Sequence, residues 1–185
     1  QPPLELIRQL ISDSGWYDLK DKTWRTIQDT TLVAAMGPTG GGRNPISPRV
    51  LRHLNLLCLT ETSVESLKRI FSYIVDRHLS IYKFDSGIRK LGDRVVDATI
   101  DIYNACRQSL LPIPAKSHYL FNLRDMSRVV QGILLVKPHD GFDETSMVRL
   151  WIHESCRVFG DRLISDEDQS WFVKQLSVVV KSQFK

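Results

Sequence analysis

Apolar positions recur at helical spacing over residues 4–11, directly after two prolines. This predicts a helix with a Pro-rich start, ended by residues 12–15. Trp16-Tyr17 and the apolar positions of 24–27 flank a charged, turn-like stretch at 18–22, as in a short hairpin. Residues 31–36 and 54–59 are short apolar runs, and their brevity predicts two buried strands. Between them, Ser47 is placed as an N-cap and Pro48 as the first residue of a short helix. To this point strands and helices mix, as in an α/β sheet.

The pattern changes after Glu61. Thr62 and Glu65 have capping-box spacing. Val64, Leu67, Ile70, Phe71, Ile74 and Val75 then make one apolar stripe. Further helices are predicted over 95–111, closed by Pro112 and Pro114; from Asn122 to about Val136; over 144–163; and over 166–181. The expected fold is mainly α (α+β). Residues 1–60 form the later part of an α/β subdomain, and residues 61–185 form a helical subdomain.

Composition adds little to this. Hydrophobic residues make up 42% and charged residues 25%, ordinary for a globular protein. The net charge is +4, but 25 basic residues are interspersed with 21 acidic ones, so a mixed solvated surface is expected rather than a nucleic-acid interface. The three cysteines, Cys58, Cys106 and Cys156, form neither a CxxC pair nor a disulfide framework. They are expected to be reduced and packed as small apolar residues. The first residues have no basic and apolar signal-peptide pattern, and no apolar run reaches the ~18 residues of a membrane span.

Four places invite a chemical reading. The glycine-rich stretch 37–42 follows an apolar run, as a phosphate loop would. It continues as Arg43-Asn44-Pro45, without the Lys and hydroxyl residue of a Walker A motif. Arg49 and Arg52, three apart, share one helix face; they form either a solvated face or a pair that reaches a neighbour's phosphate. Arg124 lies in the first turn of the helix capped by Asn122, where the helix dipole disfavours a cation by up to ~1 kcal/mol. That position suits an anion ligand, or an ion pair with Asp125 or another acid. His153 and Glu154 begin an HExxH pattern that Arg157 breaks, so no metal site is expected.

Six runs of sequence resemble the third AAA+ module of axonemal dynein heavy chains: 35–44 (AMGPTGGGRN), 48–53 (PRVLRH), 110–118 (LLPIPAKSH), 121–132 (FNLRDMSRVVQG), 150–154 (LWIHE) and 157–163 (RVFGDRL). The resemblance implies an ATP-driven ring motor that walks on microtubules in the cytoskeleton of a cilium or flagellum axoneme, or in the cytoplasm. It implies ATP or ADP with Mg in the full-length protein and none tightly bound to this stretch. Adjacent AAA+ modules would be partners, with intermediate chains, light chains and microtubules engaged by other regions, and with no nucleic acid or membrane. By the same resemblance, residues 1–11 follow the Walker B strand and residues 31–36 are the sensor I strand. Arg49 falls on the arginine finger for a neighbouring module, with Arg52 nearby, and Arg124 on the sensor II arginine. The sensor I position falls on Gly37, with Asn44 as a candidate substitute. Walker A and Walker B would lie before residue 1, so the stretch alone is expected to be inactive. The alternative is a non-enzymatic helical module that binds a protein through its last two helices.

Overall fold

An amphipathic stretch after two prolines becomes helix α1 (Pro2–Asp13) in the computed structural model, which describes residues 2–37 and 45–184. The chain divides into two units, Gln1–Thr60 and Glu61–Lys185. In the first, α1 is stopped by Ser14, whose φ of 53° is left-handed. The chain then forms an antiparallel hairpin, β1 (Gly15–Tyr17) and β2 (Trp24–Thr26), with Tyr17 opposite Trp24 and their rings edge-on at 5.0 Å. Aspartates shape its turn. Asp18 accepts from the Lys20 amide at 2.8 Å and Asp21 from the Thr23 amide at 3.1 Å, the local bonding that favours Asp in turns. Helix α2 (Pro48–Leu51) starts as the sequence predicts, with Ser47 Oγ accepting from the Arg49 amide at 3.3 Å.

The two predicted buried strands do not form. Among the described residues, 31–36 and 55–59 belong to no helix or strand, and Val33, Leu57 and Leu59 are 90%, 89% and 92% exposed. An apolar run becomes a strand only by pairing along its backbone, and among the described residues neither run has a partner strand. Cys58, in the second run, is exposed rather than packed.

The second unit is helical: α3 (Val64–Ile81), α4 (Ser86–Ser109), α5 (Leu123–Leu134), α6 (Glu144–Ser155) and α7 (Asp166–Gln183). Helix α3 is capped by Ser63, which accepts from the Ser66 amide at 3.2 Å, so the Thr62–Glu65 capping box is not used. The apolar stripe of α3 also narrows. Leu67, Phe71, Val75 and Leu79, four apart, are buried, whereas Val64, Ile70 and Ile74 face outward. Helix α4 begins at Ser86, well before the predicted Val95. Two glycines and the charged residues between Ile88 and Val95 obscured its periodicity.

Helix α4 has a broad buried face, from Ile88 to Cys106, packed against α3, α5, α6 and α7, and keeps its charged residues on the opposite side. Gly92 lets it approach α3, since a Cβ there would stand 3.2 Å from Leu79 and 3.3 Å from Val75. Across the core, buried Trp151 on α6 donates Nε1–H to Thr99 Oγ1 at 2.9 Å, and Thr99 donates to the Val95 carbonyl at 2.7 Å. Past Ser155 the helix widens into a π turn, Cys156–Gly160, closed by the Asp161 amide on the Cys156 carbonyl at 2.9 Å.

Candidate functional site

The first turn of α5 is built by a reciprocal cap. Asn122 Oδ1 accepts from the Arg124 amide at 2.9 Å, and Asp125 Oδ2 accepts from the Asn122 amide at 2.9 Å. The two neighbours of the cap then part company. Arg124 projects to solvent and is in no ion pair among the described residues. Asp125 is buried at 2% exposure. Its carboxylate is taken by Arg162, whose Nη2 stands 2.6 Å from Oδ1 and Nη1 3.3 Å from Oδ2. Arg128 reaches the same carboxylate only at 3.9 Å.

Arg162 holds more than Asp125. It donates to the Leu120 carbonyl at 3.1 Å, and its guanidinium lies over the Phe121 ring at 5.0 Å. The segment leading into α5 is pinned further by His118 Nε2, 3.1 Å from the Arg162 carbonyl oxygen. Nearby, the Asp168 carboxylate accepts from Lys116 and from the Tyr119 hydroxyl, while Ser165 Oγ at the cap of α7 accepts from the Asp168 amide. The Lys116 ammonium and these hydroxyls hold the Asp168 pKa down to about 2. The same pair pushes Lys116 upward. Thus 116–125 is bound to 162–168 by charged and neutral bonds, and α5 begins on a fixed base.

The remaining sequence candidates are placed as follows. Arg49 and Arg52 are both exposed at α2, and neither is in an ion pair among the described residues. Asn44 and the glycines after Gly37 lie outside the described residues. His153 is exposed beside Glu154, at 3.9 Å. Among the described residues no three His, Cys, Asp or Glu side chains converge as metal ligands. Cys106 is buried, and burial pushes its thiol up to about 12, an inert core position. Sequence reasoning missed Arg162, Lys116, Tyr119 and Asp168. Their partners lie 37 to 52 residues away, and no periodicity marks such pairs.

What the geometry offers is a helix N-terminus presenting one uncommitted guanidinium. A helix start and an arginine fork both suit phosphate oxygens. The described residues thus fit one contact of a nucleotide site. The cradle of a phosphate loop is a different matter, since the sequence contains no Gly-Lys pair.

Comparison with known proteins bears on the same two regions. Residues 1–62 match the family model for the P-loop containing dynein motor region, and residues 70–169 match that for the dynein heavy chain ATPase lid domain. The whole chain is 46% identical to Dynein axonemal heavy chain 12 of Homo sapiens over 185 residues and 48% identical to that of Rattus norvegicus. It is 45% identical to Dynein axonemal heavy chain 6 of Homo sapiens over 184 residues. The chain spans 6%, 6% and 4% of these relatives' lengths. With the lid match covering more than half of it, the chain belongs to the dynein heavy chain family, joining a stretch of the motor region to an ATPase lid domain.

Proposed function

We propose that this chain works as a segment of an axonemal dynein heavy chain, as the later part of the third AAA+ module and its lid, within an ATP-driven ring that moves on microtubules in a cilium or flagellum. Arg124 acts as the sensor II arginine, carrying the lid toward the phosphates of its own module's nucleotide. Arg49, with Arg52 beside it, acts as the finger that completes the site of an adjacent module. Asn44 contributes in the sensor I region. The nucleotide is ATP or ADP with Mg, which supplies the charge neutralisation that phosphoryl chemistry needs. The phosphate cradle comes from other parts of the ring.

The observation that supports this best is the division of labour at α5. Arg124 stands where a cation is locally disfavoured, and the acid beside it is already committed to Arg162. A surface arginine kept only for solubility has no need of such an arrangement. The test is Arg124→Ala in the full-length heavy chain, read as microtubule gliding velocity and as affinity for a fluorescent ATP analogue. Loss of a charge-assisted phosphate contact lowers affinity by about tenfold or more. Unchanged affinity and gliding in a folded variant would rule the reading out.

A second reading, a helical protein-interaction module, is favoured by the outward face of α7, where Val173 and Val178 are 58% and 60% exposed. Val173→Glu and Val178→Glu would abolish partner binding under that reading and leave ATP-linked gliding unchanged.

A further inference from the structure

We propose that Arg162 is the positioning residue for Arg124, an inference that rests on the phosphate reading of Arg124 given above. Three contacts carry it. Arg162 grips the Asp125 carboxylate with two nitrogens, caps the Leu120 carbonyl and covers the Phe121 ring. Those three points bracket the first turn of α5 on both sides of Arg124 and fix it from the inward face. The Arg162 side chain is itself 19% exposed and the Asp125 side chain 3%, so the fork is held in a dry setting where its bonds are strong. Arg162 also follows directly on the π turn and Asp161, so the base of α5 is tied to the turn between α6 and α7. The guanidinium of Arg124 therefore leaves a helix start that cannot swivel without breaking a buried ion pair. Arg162 touches no phosphate in this scheme; it sets the direction from which Arg124 reaches one.

The experiment is a double-mutant cycle in the full-length heavy chain, with affinity for a fluorescent ATP analogue as the readout and circular dichroism of each variant as the check on folding. Arg162→Met removes the fork and leaves Asp125 buried without a partner, which threatens folding. Arg162→Lys is the second variant. It keeps a positive charge opposite Asp125 but loses the planar two-pronged grip. Arg162→Lys is expected to weaken nucleotide binding several-fold when Arg124 is present and to have no further effect in the Arg124→Ala background. An equal loss in both backgrounds, or no loss in either, overturns the proposal. If Arg124→Ala alone leaves affinity unchanged, the phosphate reading fails first and takes this proposal with it; that outcome is visible in the single variant.

Discussion

The Tyr119 hydroxyl donates to the Asp168 carboxylate at 2.8 Å while accepting from the Ile164 amide at 3.1 Å, so one phenol joins the segment before α5 to the start of α7. Lys116 bonds the same carboxylate, and Ser165 caps the helix beside it. The depressed pKa of Asp168 follows from the Lys116 contact first and the hydroxyls after it.

That depression makes a pH signature. Asp168 has a folded pKa of about 2 against 3.8 for the free group, so it stabilises the fold fully above pH 4. The contribution is lost as pH falls from 4 through 2. It amounts to at most about 2 kcal/mol, reduced by solvent screening at a partly exposed site. Urea unfolding of the chain and its Asp168→Asn variant across this range should show the stability gap closing toward pH 2. A gap that persists at pH 2 would mean the pair is not the source.

In the core, Trp151→Phe keeps most of the apolar contact but removes the N–H that bonds Thr99. The expected cost is about 1 kcal/mol, and Trp151→Ala should cost about 3–5 kcal/mol through the cavity it leaves. Both are read from urea midpoints. In a Thr99→Val background the Trp151→Phe cost should shrink, because the bond is already gone.

At α2, Arg49→Ala in the full-length heavy chain is expected to lower ATP-driven gliding by about tenfold or more if the residue acts as a finger on a neighbouring nucleotide. Arg52→Ala, the flanking position, should have the smaller effect. Equal, negligible effects on gliding from both would return the pair to a solvated helix face.

The chain by itself should show no Mg-dependent ATP turnover and weak or no ATP affinity, because one arginine does not replace a backbone cradle for phosphates. Phosphate-release assays and calorimetry check this. Micromolar ATP binding by the chain alone would contradict it.

Much of the helical unit was legible in the sequence because its signals are local. Asn122 marks a helix start, Pro112 and Pro114 close α4, and the apolar spacing of 144–163 and 166–181 follows one helical period. Where two caps compete, as at Thr62 and Ser63, one residue of register depends on backbone geometry that spacing does not encode. The apolar runs 31–36 and 54–59 read as strands because composition reports a preference, whereas pairing requires a partner that the run itself does not contain. Arg124 drew notice in the sequence because it violates a local preference. Arg162 was not, since an arginine in a turn looks ordinary until Asp125 is found 2.6 Å away.

Those unpaired runs have a practical consequence. Leu32, Val33, Leu56, Leu57 and Leu59 put oily side chains into water on segments that no strand pairs among the described residues, and such surfaces recruit one another between molecules. A purified sample of this chain should clump with rising concentration, and a single lysine at Val33 or Leu57 should keep it dispersed without disturbing the helices of 61–185.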